Sequence, residues 1–139
     1  MYINTILSLE MKKILIPMLA LLIFAACQES LEERCQREAR DYTAKNCPLP
    51  VGENVVMDSM TFDAATHTIA YIYTLSGVVD DTAAINRSNP RESLLKSLKN
   101  TPHLKLYKEA GYSFRYTYYS AKQRGQKLFD TTFREKDYQ

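Results

Sequence analysis

The sequence predicts an α+β fold, with an N-terminal helix and a four-stranded antiparallel sheet of two hairpins. The elements follow the order α-β-β-α(-α)-β-β, and we expect the helices on one face of the sheet. Residues 68–76 and 112–121 carry this prediction, because both stretches alternate between apolar or aromatic side chains and small polar ones. Such alternation is typical of strands with one buried and one solvated face. Apolar residues at helical spacing predict the helices.

The first helix is predicted over residues 30–45. Ser30 and Glu33 have the spacing of a capping box. Residues 47–50 contain two prolines that end the helix. An apolar stripe follows the cap at helical spacing: Leu31, Cys35, Ala39 and Tyr42.

The first hairpin is predicted from strands at residues 55–63 and 68–76, joined by a loop at residues 64–67. A turn at residues 52–54 precedes it, and Gly77 ends it. One side of the first strand is apolar: Val56, Met60 and Phe62. In the second strand the residues that point one way are Ile69, Tyr71, Tyr73 and Leu75.

Short helices are predicted between the hairpins. Asp80, Asp81 and Thr82 start a helical turn, and Asn89 before Pro90 has the pattern of an N-cap followed by a first-position proline. A second short helix runs to Ala110, with Gly111 as its C′ residue. The buried stripe of the longer helix consists of Leu94, Leu95 and Leu98. The second hairpin then joins strands at residues 112–121 and 127–134 through a turn at residues 122–126.

Aromatic side chains dominate one face of the strands at residues 68–76 and 112–121. They form either the core face of the sheet, with hydroxyl groups that reach its edges, or a binding platform for sugars or peptides. The core interpretation is favoured, because Ile69 and Leu75 on the same face are aliphatic while the opposite face is rich in Thr, Ser and Arg. The aromatic residues are Tyr71, Tyr73, Tyr112, Phe114, Tyr116 and Tyr118.

The N-terminal region has the pattern of a lipoprotein export signal. Lys12 and Lys13 precede an apolar stretch at residues 14–24, and two alanines precede Cys27. A helix over residues 14–26 would be roughly 20 Å long, which is too short for a hydrocarbon core of about 30 Å. Residues 24–27 resemble a lipobox, in which the cysteine thiol receives diacylglycerol and the anchor carries palmitate-like chains. We therefore predict Cys27 as the site of lipid attachment.

These features divide the chain into four segments. Residues 1–10 fit no part of a signal and are interpreted as a mis-assigned start, because Met11 is the more natural one. Residues 11–26 form the predicted signal peptide, residues 27–46 the lipid attachment site and first helix, and residues 47–139 the α+β domain. Removing residues 1–26 from 139 leaves 113, enough for a single domain.

The charge balance argues against a nucleic-acid partner. Removal of Glu10, Lys12 and Lys13 from 16 acidic and 18 basic side chains leaves 15 acidic and 16 basic ones. A nucleic-acid binder would carry a clear basic excess.

Cys35 and Cys47 remain besides Cys27, and a disulfide between them would need Cα atoms within about 7 Å. The first helix would then have to end early, and the sequence leaves this pairing open.

The sequence contains no recognisable catalytic or metal-binding motif. His67 and His103 have no nucleophile at a meaningful spacing, and we predict that both are solvent-exposed. Asp80 and Asp81, with Asp58 or Asp63, are candidates for paired carboxylates or a calcium site. Adjacent carboxylates between a strand and a helix are more often solvated or capping residues. We therefore predict no catalytic residues, no metal and no cofactor.

Residues 49–138 resemble a family of small, uncharacterised bacterial envelope and secreted proteins. The residues that carry the resemblance are Leu49-Pro50, the strand around Tyr71–Leu75, Thr101-Pro102, the run from Gly111 to Tyr118, and Lys136 to Tyr138. The signal itself is similar to those of Bacteroidota lipoproteins. The resemblance implies an α+β fold and an envelope setting, and it supplies no activity.

The sequence therefore predicts a lipid-anchored protein of the cell envelope that serves as a binding or interaction module, with an inhibitor or immunity role as one version. We expect it at the outer membrane, on either the periplasmic or the outer side, held by its lipid and bound to another envelope protein. The alternative is a small envelope-acting enzyme. The free sheet face offers the predicted interaction surface: Thr74, Arg115, Thr117 and Tyr119.

Overall fold

A five-stranded sheet lies at the centre of the structure, a computed structural model that describes residues 28–139. Residues 1–10, the predicted signal peptide and Cys27 lie outside the described residues. The strands are β1 (Leu49–Gly52), β2 (Val55–Asp63), β3 (Thr68–Leu75), β4 (Ser113–Ser120) and β5 (Lys127–Phe133). The helices are α1 (Leu31–Asn46), α2 (Thr82–Arg87), α3 (Pro90–Lys99), α4 (Lys105–Glu109) and α5 (Glu135–Tyr138). Short 3₁₀ turns occupy Gly77–Val79 and Pro102–Leu104.

The sheet differs in two respects from the predicted four antiparallel strands. The strand order is β1-β2-β3-β4-β5, so β1 is a fifth strand, paired with the first part of β2. The prediction treated residues 47–50 only as a helix stop. The central pair, β3 and β4, is parallel, while the other three pairs are antiparallel. The connection through α2, α3 and α4 is long enough for a parallel crossover, which a tight hairpin turn could not provide.

The helices cover one face of the sheet, as predicted. The face they cover is the aromatic and aliphatic one, and its most buried members are Ile69, Phe114 and Phe133, each 0% exposed. Cys35 and Ala39 of α1 and Leu98 of α3 add to this core. Arg91 of α3 lies over the ring of Phe133, 4.7 Å from its centroid.

The β2 strand contains a bulge that changes which side chains reach the core. The register with β3 shifts between Met57 and Ser59, so Asp58 is the extra residue. As a result Met57, only 5% exposed, faces the helices together with Met60 and Phe62. The prediction placed Val56 on that side and was wrong there, because strict alternation assumes a strand without a bulge.

Helix boundaries agree closely with the predicted ones, but some details differ. Asn89 precedes Pro90 as predicted, yet its backbone is left-handed (φ 47°) and its side chain caps no backbone N–H. Instead its amide donates to Glu92 Oε2 at 2.7 Å. The short helix α5 follows β5 and was not predicted. Cys35 and Cys47 are free thiols, since α1 continues to Asn46 and keeps them apart.

Candidate functional site

A groove with a volume of about 730 Å³ lies on the helix-covered face of the sheet. Its floor consists of Met57, Met60, Tyr71 and Tyr73 from β2 and β3. One wall is α1 and the other is the segment around His103, Leu104 and Tyr107. We call this cavity the groove; its complete lining is Arg34, Arg37, Glu38, Asp41, Tyr42, Lys45, Val51, Met57, Met60, Tyr71, Tyr73, His103, Leu104 and Tyr107.

A hydrogen bond between the two walls closes one end of the groove. Tyr107 donates its hydroxyl to Glu38 Oε2 at 2.6 Å, and Arg34 Nε donates to Glu38 Oε1 at 2.7 Å. Burial opposes ionisation of Glu38, but these two donors outweigh it and hold its pKa below the usual range. Both carboxylate oxygens of Glu38 therefore already accept hydrogen bonds within the protein. The other end of the groove opens towards Tyr42 and Val51, which are 36% and 50% exposed.

A second hydrogen-bond pair holds α1 against the sheet beside this floor. β1 is short and leaves most of the outer edge of β2 unpaired by strand contacts. The Thr43 hydroxyl accepts from the Met60 backbone N–H and donates to the Met60 carbonyl, both at 2.8 Å. One side chain of α1 thus covers an edge site that would otherwise be open to pairing. This contact fixes the spacing between α1 and the groove floor.

The aromatic residues that the sequence singled out have two locations. Tyr112, Phe114 and Tyr116 are buried, which agrees with the core interpretation. Tyr71, Tyr73 and Tyr118 are only partly buried and border cavities. Burial raises the pKa of Tyr71 and Tyr73 above the usual range, so their hydroxyls stay neutral in the groove. The sequence therefore identified Tyr71 and Tyr73 of the groove floor, but favoured a role for them in the buried core.

The four residues of the predicted interaction surface lie together on the opposite face of the sheet. β3 and β4 place Thr74 beside Tyr119 in the register, and Ile72 beside Thr117. Arg115 binds Asp130 through two nitrogens, at 2.9 and 2.6 Å, and Thr117 donates to the same carboxylate at 3.0 Å. Thr74 donates to Asp58 Oδ2 at 2.6 Å. Three of the four side chains thus already have partners within the sheet, and their role as an interface stays a prediction.

This face also carries a shallow polar depression. Its volume is about 610 Å³, and hydroxyl groups and two arginines dominate its lining. Around it, the Arg115 guanidinium and the Thr117 hydroxyl lower the pKa of Asp130 to about 2. The pairing with Asp130 raises the pKa of Arg115 in turn. Most of the charge on this face is therefore balanced locally.

The histidines and the acidic residues considered as catalytic candidates do not converge on one site. His67 lies beside Glu32, with Nε2 3.2 Å from Oε1, and its ring stacks on Tyr112. His103 is on the wall of the groove. Asp80 accepts from the Lys122 backbone N–H, and Asp81 caps α2 through the Ala83 N–H. Both aspartates therefore stabilise turns and helix ends.

Within residues 28–139, no three side chains of the metal-binding types come close enough together to hold an ion. Over the same residues, no helix has both the length and the apolar composition needed to cross a bilayer. The predicted lipid attachment residue, Cys27, lies outside the described residues.

Solved structures with the same fold come from secretory and envelope settings. A Pseudomonas aeruginosa protein described as secreted aligns with a TM-score of 0.66 at 12% identity, over 81% of this chain and 100% of its own. EpsS, a pilotin of the Vibrio vulnificus type 2 secretion system, aligns with a TM-score of 0.62 at 15% identity, over 78% of this chain and 92% of its own. AspS, the type II secretion pilotin of Vibrio cholerae, aligns with a TM-score of 0.58 at 18% identity, over 82% and 97%.

At these identities the likeness shows a shared fold and nothing further. Among curated proteins the sequence has no significant match. One protein family does match, and it is described as a domain of unknown function, DUF8479. The match covers residues 30–129, most of the chain and all of the groove. The chain therefore belongs to the DUF8479 family.

Proposed function

We propose that this protein is a lipid-anchored interaction module of the cell envelope, and that the groove binds an amphipathic helix of another envelope protein. The groove itself carries this proposal. It leaves about 730 Å³ of open space between α1 and the segment around Tyr107. Its floor combines two methionines with two tyrosines, side chains that adapt to and are enriched at protein interfaces.

The backbone pairing below the groove favours a helical occupant. The floor is a face of β2 and β3, and the backbone N–H and C=O groups of these strands point along the plane of the sheet, towards each other, β1, β4 and Thr43. An extended peptide lying on this floor would find few backbone partners for its own N–H and C=O groups. A helix satisfies those groups internally and presents side chains only. The groove therefore suits an apolar helix face.

The charges on the rim favour an acidic flank on that helix. Three cations, Arg34, Arg37 and Lys45, line the groove together with two carboxylates, Glu38 and Asp41. With three cations and two carboxylates, the lining of the groove has a formal net charge of +1. Carboxylates on the partner would pair with this rim and fix its orientation.

The setting of the proposal comes from the signal and the fold. Two proteins that share the fold are pilotins of type 2 secretion systems, so a component of an envelope assembly is the kind of partner we propose. Lipid on Cys27 would hold the groove beside the outer membrane. Cys27→Ser should abolish incorporation of labelled palmitate, whereas continued labelling would refute the anchor.

Site-specific photo-crosslinking tests the proposal with a matched pair of probes. Benzoylphenylalanine replaces Tyr42 at the groove or Tyr119 on the opposite sheet face, an aromatic-for-aromatic change in both cases. In intact cells, we expect the Tyr42 probe to capture one envelope protein through an acidic amphipathic helix, mapped by mass spectrometry. Lys45→Glu should reduce the yield of that adduct.

The Tyr119 probe separates this proposal from the surface predicted by the sequence. Capture from Tyr119 with none from Tyr42 would place the interface on the opposite sheet face and overturn the groove proposal. Capture of an extended or basic segment at Tyr42 would contradict the proposed helix.

A further inference from the structure

A second cavity lies on the same face of the sheet and is apolar. Its volume is about 210 Å³, and no charged side chain lines it. We call it the socket; its lining is Leu75, Val79, Ala84, Ile85, Ser88, Pro90, Tyr118 and Phe129. The Ser88 hydroxyl donates to the Ile85 carbonyl at 2.7 Å, so it is already satisfied. An occupant of the socket therefore needs shape and apolar surface more than hydrogen-bonding groups.

The socket and the groove meet at a stacked pair of tyrosines. Tyr73 belongs to the groove and Tyr118 to the socket, and their rings lie parallel with centroids 4.6 Å apart. Both rings are partly exposed. The two cavities are therefore neighbours on this face of the sheet, the groove beside α1 and the socket beside α2.

We propose that one partner segment occupies both cavities, with its helix in the groove and a single large aliphatic or aromatic side chain inserted in the socket. This inference rests on the function proposed above. The socket is the right size for one such side chain, and its burial supplies affinity in proportion to the apolar area removed from water. An anchor side chain in an apolar pocket is the arrangement found at interface hot spots.

The position of the socket favours a segment bound in the groove over the protein's own lipid as its occupant. α1 begins beside the β2–β3 turn, where Glu32 is 3.2 Å from His67. The socket lies at the other end of β3, beside Leu75. Thr68–Leu75 contains eight residues and therefore seven steps, so its two ends are roughly 23 Å apart at about 3.3 Å per step. The groove is adjacent to the socket, so a segment bound there reaches it directly.

Two variants of α2 test the socket without touching the groove. Ala84 lines the socket, and Ala84→Leu would fill it with a residue that suits a helix. Ala83→Leu is the matched control, because Ala83 is exposed on the same helix and does not line the socket. With the crosslinking probe at Tyr42, we expect Ala84→Leu to lower the adduct yield about tenfold, because the partner could no longer bury one apolar side chain in the socket. Ala83→Leu should leave it unchanged.

A second probe tests whether one segment reaches both cavities. Val78 is 83% exposed and precedes Val79 of the socket lining. Benzoylphenylalanine at Val78 should capture the same tryptic peptide, or its immediate neighbour, as the probe at Tyr42. Capture of lipid alone, or of a different protein, would overturn the inference.

The two sets of variants distinguish failure of the socket from failure of the groove. If Lys45→Glu weakens capture from Tyr42 but Ala84→Leu does not, the groove is used and the socket proposal is wrong. If neither change has an effect, both proposals are wrong. Thermal unfolding of each variant, with melting temperatures close to that of the unmodified protein, confirms that a lost adduct reflects lost contact.

Discussion

At the level of single residues, the carboxylate of Asp130 links several side chains on the opposite face of the sheet. Asp130 accepts from Arg115 and Thr117, and Lys127 lies 3.4 Å away. Arg115 and Asp130 are 15 residues apart, so the pair depends on the register of β4 against β5. The sequence predicted the hairpin but not this register, since a β-bulge shifts it between Tyr118 and Tyr119. The sequence therefore placed Arg115 on the free surface of the sheet, whereas its guanidinium is paired with Asp130.

The pKa of Asp130 predicts how stability depends on pH. Its folded value of about 2 lies below its ordinary value of 3.8, so the charged form is favoured by folding. The resulting stability is present above pH 4 and is lost as the pH falls towards 2. Asp130→Asn should lower the free energy of unfolding by about 1 kcal/mol at pH 7. In urea denaturation, the difference between the variant and the unmodified protein should shrink between pH 4 and pH 2.

Glu109→Gln is a suitable control for this measurement. Among the residues that the structure describes, Glu109 forms an ion pair with Lys105 alone, an exposed i,i+4 contact at 3.7 Å. Its loss should change the free energy of unfolding by less than about 0.5 kcal/mol. An Asp130→Asn effect of equal size at pH 7 and pH 2 would show that the carboxylate does not act through its charge.

At the level of elements, the sequence predicted most helices and strands but not how the two central strands pair. The alternation in β3 and β4 showed which side chains share a face, and the structure confirms this for Ile69 to Leu75 and Phe114 to Tyr118. Alternation carries no information on relative direction. Direction depends on how α2, α3 and α4 cross the sheet, which is decided by packing between distant residues.

A pair of cysteine variants tests the parallel register directly. In a chain whose three native cysteines are replaced by alanine, Thr68→Cys and Ser113→Cys would lie opposite each other on β3 and β4. Adjacent strands are about 4.8 Å apart, within disulfide range. We expect this pair to form a disulfide under mild oxidation.

The control pair is Thr74→Cys with Ser113→Cys. These positions would be opposite each other only if the two strands ran antiparallel, and in the parallel register they are roughly 20 Å apart. A disulfide in the control pair, with none between positions 68 and 113, would contradict the observed topology.

At the level of the whole molecule, the groove and the socket exist because the helices do not cover the aromatic face completely. α1 is tied to β2 through Thr43, and α2 packs Ile85 against Leu75 and Leu128. Between them Tyr73 and Tyr118 stay partly open. The sequence identified these tyrosines and offered both a core and a platform interpretation. It favoured the core interpretation and could not reveal the gap, because the gap is set by where each helix docks.

The β-bulge has a similar consequence for the groove. It turns Met57 to the same face as Met60, and so places both methionines in the floor. Without the bulge, strict alternation would have placed Met57 and Met60 on opposite faces of the sheet. The two cavities therefore follow from packing and register, and neither is encoded in a local sequence pattern.

The location of both methionines allows a direct test of the central claim, that the partner binds in the groove. Met57 and Met60 are the two methionines within residues 28–139, so ¹³C-methyl labelling reports on the groove floor from this region. The segment captured from Tyr42 would be synthesised as a peptide and titrated into the labelled protein. We predict that both methyl signals shift in NMR spectra, while the backbone amide signals of Thr117 and Thr132 keep their chemical shifts. Unchanged methionine signals, with shifts confined to those amides, would contradict the account.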